Sequence, residues 1–171
     1  MAIICKKSLS AFCKVIIGMK FASGNEFIQG TMAGAIGAIV ICFVMELLEL
    51  IGIAKHCWLF MAGQAVMEFK HNNFLAVTLA FLIHLGVGSF WGVIIAFLFS
   101  KVFMAKYYLL KSAIFGMAIF FLHIGLLSKA LHYPDAMREN LPTVFFILIT
   151  YIMYGLLTAI ILKKITRIIV G

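Results

Sequence analysis

The chain has 171 residues, of which 65% are hydrophobic and 12% are charged, and its formal net charge is +8. A soluble domain has roughly 45–50% apolar and about 25% charged residues, so this chain has too little charge to cover a water-facing surface. The high apolar content also excludes an intrinsically disordered chain. The composition therefore indicates a polytopic membrane protein. The excess of basic residues then needs a membrane explanation before a nucleic-acid one.

Residues 1–22 form a basic, amphipathic segment. On a helical wheel its lysines gather on one side and its apolar side chains on the other, which is the pattern of a helix lying in the membrane interface. We expect these lysines to contact lipid head groups, and a simple basic tail is the alternative. The lysines are Lys6, Lys7, Lys14 and Lys20.

Four later stretches are long and apolar enough to span a bilayer, which takes about 20 mostly apolar residues. They are 31–53, 74–100, 108–128 and 143–162. Backbone amides in hydrocarbon must be paired within their own segment, so uninterrupted runs of this length indicate helices and not barrel strands. The sequence predicts an all-α fold, a single membrane domain built as a bundle of four transmembrane helices after the interfacial helix. The connection 55–73 mixes aromatic and charged residues and is predicted to be interfacial or partly re-entrant.

The basic residues also predict the orientation of the chain. With four spans, both termini and the connection 101–111 share one side of the membrane. The other side carries only Lys55, Lys70, Lys129 and Arg138, so ten of the 14 lysines and arginines lie on the side of the termini. Basic residues accumulate on the cytoplasmic side. We therefore expect a multi-pass protein of the bacterial cytoplasmic membrane with both termini in the cytoplasm, and no nucleic-acid partner.

Ionisable side chains inside the spans need an explanation, because each one costs roughly 2.5–3.5 kcal/mol to insert. Glu46 and Glu49 lie three residues apart on one face of the first span. His84 lies in the second span, His123 in the third and Tyr151 in the fourth. Counting 1.5 Å per residue from the predicted cytoplasmic ends places the glutamates and histidines at roughly 22–27 Å, with Tyr151 a little lower. The sequence thus predicts one polar layer in the outer half of the membrane.

Three interpretations of this layer remain open. The first is a neutral network of hydrogen bonds between helices, each worth about 0.6 kcal/mol. The second is a haem b held by the two histidines, or a transition metal held by histidines and carboxylates. The third is a proton or cation path through Glu46 and Glu49, for which the cytoplasmic half offers no matching relay. No familiar catalytic signature is present, so we predict neither a catalytic residue nor a cofactor.

Glycines at helical spacing predict close contacts between helices. The Gly-x-x-x-Gly pattern of Gly88 and Gly92 lets a neighbouring backbone approach closely. The predicted packing positions are Gly30, Gly34, Gly37, Gly88, Gly92, Gly116 and Gly155. These are more glycine-lined faces than one small bundle needs, so we expect some of them to contact another chain.

Several short motifs are spread over residues 60–157. They are MEFK at 67–70, HLG at 84–86, GSFWGVIIAF at 88–97, YYLLK at 107–111 and YGL at 154–156. In these motifs the chain resembles a group of small integral membrane proteins of Firmicutes. The resemblance implies a four-span helical protein of the bacterial cytoplasmic membrane, with Gly88 and Gly92 at packing positions. It implies no activity, cofactor or catalytic residue, and it does not cover Glu46 or Glu49.

The function predicted from these observations is a non-enzymatic one that depends on binding. We expect an accessory or structural subunit of a larger membrane complex, or a homo-oligomer, whose partners are membrane lipids and other membrane subunits or further copies of the chain. The alternative is a redox protein with haem b or a metal, or a protein that handles protons or cations through the layer of glutamates and histidines.

Overall fold

The computed structural model describes residues 26–55, 58–64, 66, 73–101, 107–127 and 140–170. Within these ranges the chain is helical and contains no strand. The helices are α1 (Glu26–Leu50), α2 (Trp58–Gln64), α3 (Phe74–Lys101), α4 (Tyr108–Phe120) and α5 (Leu141–Val170), and a π-helical segment, Phe121–Leu127, continues α4. Helices α1, α3, α4 with the π segment, and α5 are long and apolar enough to cross a membrane. The predicted all-α bundle of four transmembrane helices is confirmed, while the predicted interfacial helix 1–22 lies outside the described residues.

Helix α1 ends three residues before the predicted end of the first span. Gly52 has φ 76°, its amide donates to the Glu49 carbonyl at 3.0 Å, and the amide of Ile53 donates to the Leu48 carbonyl at 2.9 Å. This pair of bonds is a Schellman motif, in which a left-handed glycine ends the helix. Because α1 is already helical at Glu26, the whole helix is displaced toward the N-terminus of the chain relative to the predicted span. Glu49 therefore lies in the last turn.

Asparagines begin two of the long helices. The side-chain oxygen of Asn73 accepts the Leu75 amide at 3.0 Å, and that of Asn140 accepts the Thr143 amide at 3.0 Å. Each bond satisfies a backbone donor that the first turn of a helix leaves free. The Asn140 cap starts α5 at Leu141, two residues before the predicted span.

The four long helices do not form a closed ring. Helix α1 packs against both α3 and α5, α5 packs against α4, and the short α2 packs against α3. Helices α3 and α4 do not pack closely against each other, and a smaller share of each is buried than of α1 and α5. We call this open side the α3–α4 seam. Side chains, and not backbones, bridge it.

Glycines bring α1 and α3 into close backbone contact. The helices run antiparallel, and Gly30 and Gly34 of α1 face Gly88 and Gly92 of α3. A Cβ built on Gly92 would lie 2.6 Å from the Cα of Gly34, closer than carbon atoms approach without overlap. These four positions therefore fix how far α3 is shifted along α1.

The other predicted packing glycines face α4 or α5. Gly37 faces the side chains of Tyr154 and Thr158, Gly116 faces the backbone of Tyr151, and Gly155 faces the backbone of Ser112. All seven glycines singled out in the sequence thus lie against another helix of the same chain. The number of these glycines therefore does not indicate contact with a second chain.

Candidate functional site

Helices α1 to α5 and the π segment converge on a cavity of about 40 Å³. A water molecule needs roughly 10–15 Å³ of such space, so about three would fit. One wall is Ala38, at the middle of α1, which places the cavity near the middle of the bundle. Most of the lining is apolar. The side chains with a nitrogen or oxygen atom are Trp58, His84, Trp91, His123, Tyr151 and Tyr154.

His123 links three elements by hydrogen bonds. The indole Nε1–H of Trp91 donates to His123 Nε2 at 3.1 Å, and His123 Nδ1 lies 2.6 Å from the hydroxyl oxygen of Tyr151. An indole nitrogen can only donate, so Nε2 must accept and the proton of the neutral imidazole lies on Nδ1. Nδ1–H therefore donates to Tyr151. The network runs from α3 through the π segment to α5 and uses both ring nitrogens of His123.

The position of His123 depends on the π-helical turn. His123 is the third residue of the Phe121–Leu127 segment, and π turns inside α-helices are frequent at functional sites. Its ring lies edge-on to Trp91 and to Tyr151, with centroids 5.6 Å from each. The apolar sequence of this segment gives no signal for a π-helix, so the geometry that brings His123 to the cavity was not predictable.

His84 has one ring nitrogen free. Its Nε2 lies 3.0 Å from the carbonyl oxygen of Ala38, and because a carbonyl only accepts, Nε2 carries the proton. Nδ1 is then an acceptor, and no described residue donates to it. His84 is only 7% exposed. The residue that carries this unpaired acceptor is thus buried in the bundle and lines the cavity.

Trp58 enters the bundle from α2. It is buried, its ring stacks on His84 with centroids 5.6 Å apart and an interplanar angle of 28°, and it lies edge-on to Tyr151 at 4.7 Å. Its Nε1–H has no hydrogen-bond partner. In the described part of the connection 55–73, therefore, a short helix inserts an aromatic side chain between the long helices.

Three side chains at the cavity were not among the sequence candidates. Trp58 lies in a connection, and nothing in its local sequence marks it for insertion. Trp91 follows His84 by seven residues, which is two turns on the same helix face, so this spacing was a usable signal. Tyr154 lies one turn beyond Tyr151, and its hydroxyl donates to the carbonyl oxygen of Gly88.

The structure brings His84, His123 and Tyr151 to the cavity, but Glu46 and Glu49 do not line it. Ala38, which contacts His84, precedes Glu46 by eight residues, or about 12 Å along α1. The glutamates therefore lie near the C-terminal end of α1, with half-buried side chains. Oε1 of Glu46 and Oε2 of Glu49 are buried without a hydrogen-bond partner.

The described geometry does not fit haem ligation by both histidines. A bis-histidine haem needs a free nitrogen lone pair from each ring, and the only lone pair of His123 accepts the indole hydrogen of Trp91. For a transition metal, no three histidine, cysteine, aspartate or glutamate side chains gather among the residues that the structure describes. The described residues of this site thus provide neither a bis-histidine haem pocket nor a three-ligand metal site.

Comparisons with protein families, with curated proteins and with solved structures found no match to this chain. The resemblance to small membrane proteins of Firmicutes therefore stays a prediction. The four long helices establish the fold, and the cavity and the two glutamates are the features of the described residues that bear on function.

Proposed function

We propose that this chain is a non-enzymatic, multi-pass membrane protein that acts as a subunit of a larger membrane complex or as a homo-oligomer. The observation that carries the proposal is that Glu46 and Glu49, at the C-terminal end of α1, are half-buried and each has one buried carboxyl oxygen without a hydrogen-bond partner. A buried polar atom without a hydrogen bond costs free energy. A donor supplied by another chain would remove that cost.

The surface beside the two glutamates leaves room for such a chain. Phe43, Leu47 and Leu50 are exposed on one face of this part of α1, so the bundle leaves that face uncovered, while Met45 on the opposite face is buried. A partner helix that carries a lysine, arginine or amide side chain at the same depth fits this surface, because it pairs the carboxylates and covers the apolar side chains. The proposal no longer depends on the glycines, which contact helices of the same chain.

The membrane and the orientation belong to the same proposal. The excess of basic residues near the termini supports a bacterial cytoplasmic membrane with both termini in the cytoplasm. Membrane lipids would then contact the basic N-terminal segment. Fusion of a periplasm-active reporter to each terminus tests the orientation, and activity of either fusion would contradict it.

The subunit proposal is tested with the double variant Glu46→Gln/Glu49→Gln. In nanodiscs or mild detergent, native mass spectrometry should show the wild-type chain bound to a partner or to further copies, and the double variant should shift toward the monomer. Leu110→Ala, at a leucine of α4 that is 61% exposed and lies at the opposite end of the bundle from the glutamates, is the matched control and should keep the assembly. A wild-type chain that is monomeric in detergent and after cross-linking in native membranes would overturn the proposal. Proton flux into liposomes that Glu46→Gln abolishes would favour the proton-handling alternative instead.

A further inference from the structure

On one side, the cavity is lined by side chains that reach the surface of the bundle. Its walls from α1 and α5 are buried, as shown by Ala38 and Tyr154, which are 0% and 3% exposed. Val87 of α3 also lines the cavity, and it is 40% exposed. Trp91 and His123, which bridge the α3–α4 seam, are half-buried. The opening therefore lies at the α3–α4 seam, where the two helices do not pack closely.

The polar atoms of the cavity define what its occupant must supply. His123 has both nitrogens hydrogen-bonded, and the hydroxyl of Tyr154 donates to a backbone carbonyl. Nδ1 of His84 remains an acceptor without a donor, near the middle of the bundle, where neighbouring lipid tails offer no hydrogen bond. The Nε1–H of Trp58, which also lines the cavity, is a donor without a partner. An occupant that satisfies both groups has one small polar group that donates to Nδ1 of His84 and accepts from Trp58, and it is otherwise apolar. A carboxylate or a ketone has no hydrogen to donate.

We propose that the cavity binds a lipid-soluble alcohol, which enters from the bilayer through the α3–α4 seam and donates its hydroxyl hydrogen to Nδ1 of His84. The cavity holds the hydroxyl group and the carbon atoms next to it, since it has room for about three water molecules. The rest of the alcohol lies in the seam beside Val87 and Trp91. This site is separate from Glu46 and Glu49, so it does not depend on the proposed assembly.

Tryptophan fluorescence reports this cavity selectively. The chain has two tryptophans, and both Trp58 and Trp91 line the cavity. We would titrate the chain in nanodiscs with 1-octanol and with n-octane, which differ by the hydroxyl group. We expect a saturable change in emission with octanol at about one tenth of the octane concentration or less, because octane leaves the acceptor of His84 unpaired.

Two variants test the two parts of the proposal. His84→Phe removes the acceptor, so the preference for octanol over octane should disappear. Val87→Phe narrows the opening without changing a polar atom, and it should weaken octanol binding at least tenfold. Leu82→Phe is the control for Val87→Phe, because it also places a phenylalanine on α3. Leu82 is 58% exposed and does not line the cavity. This variant should bind octanol as the wild type does.

Several results would overturn the proposal. Equal responses of the wild type to octanol and octane mean that His84 does not select a hydroxyl group. No saturable response at all means that the cavity holds water only. Unchanged octanol binding by Val87→Phe means that the α3–α4 seam is not the entrance. If His84→Phe fails to fold, the wild-type comparison of the two probes and the Val87→Phe result still decide the question.

Discussion

The close contact between α1 and α3 gives the sharpest prediction about stability. Gly92→Ala adds one methyl group on the face of α3 that meets α1. Its Cβ would lie 2.6 Å from the Cα and 2.7 Å from the amide nitrogen of Gly34. Both are backbone atoms of a long helix, so no side-chain rotation can relieve the overlap. The two helices must move apart or slide.

The size of the effect follows from these distances. Carbon atoms pack at about 3.5–4.0 Å, so the helices must separate locally by about 1 Å. Overpacking of this kind costs about 1–3 kcal/mol, and the better helix propensity of alanine returns up to about 1 kcal/mol. We expect Gly92→Ala to lower the free energy of unfolding by about 1–2 kcal/mol, roughly a tenfold change in the equilibrium constant.

Gly86→Ala is the matched control. Gly86 lies on α3 less than two turns from Gly92, and a Cβ built there meets no atom within 4 Å. Alanine at this position should leave stability unchanged or raise it by up to about 1 kcal/mol. Unfolding by dodecyl sulfate, followed by tryptophan fluorescence, measures both variants. The reasoning is refuted if Gly92→Ala is as stable as Gly86→Ala.

Three further variants test hydrogen bonds and a turn, each by the same unfolding assay. Tyr154→Phe removes the bond to the Gly88 carbonyl and should cost about 0.6 kcal/mol, with about 1.7 kcal/mol as the upper limit for such bonds in a membrane. Asn140→Ala removes the acceptor of the Thr143 amide, so we expect a loss of about 1 kcal/mol, whereas Asn140→Asp should keep most of the stability. Gly52→Ala puts a Cβ on a left-handed residue and should cost about 1–2 kcal/mol, and an unchanged stability would show that α1 does not need this cap.

The number and type of the spanning helices were predictable because hydrocarbon imposes a strong condition on the chain. Every residue in a run such as 74–100 must be compatible with lipid or with a helix interior, and that condition is visible in the composition alone. The position of each helix along its neighbour was not predictable from the predicted ends of the spans. It is set by the contacts of Gly34 with Gly88 and Gly92, which place His84 beside Ala38 and leave Glu46 about 12 Å further along α1.

The candidate site was predictable in part for the same reason. His84, His123 and Tyr151 are polar groups inside apolar runs, so the cost of inserting them marks them in any sequence. Trp58 carries no such mark, because an aromatic residue in a connection between spans is common at the membrane interface. The π turn around His123 depends on how the helix packs, and the residues Phe121–Leu127 do not encode it visibly.

The contact between α4 and α5 at the end opposite the Schellman motif marks one edge of the apolar band of the protein. Nζ of Lys163 lies 4.3 Å from the ring centroid of Tyr108, and lysine and tyrosine are typical anchors at the level of the lipid head groups. From Leu141 to Lys163, α5 rises about 33 Å, which matches a hydrocarbon core of about 30 Å with a small tilt. In a thinner bilayer the helices would have to tilt further, and the α3–α4 seam, with the least packing to resist it, would change shape first. The lipid composition of the membrane would thereby adjust the width of the opening beside Val87.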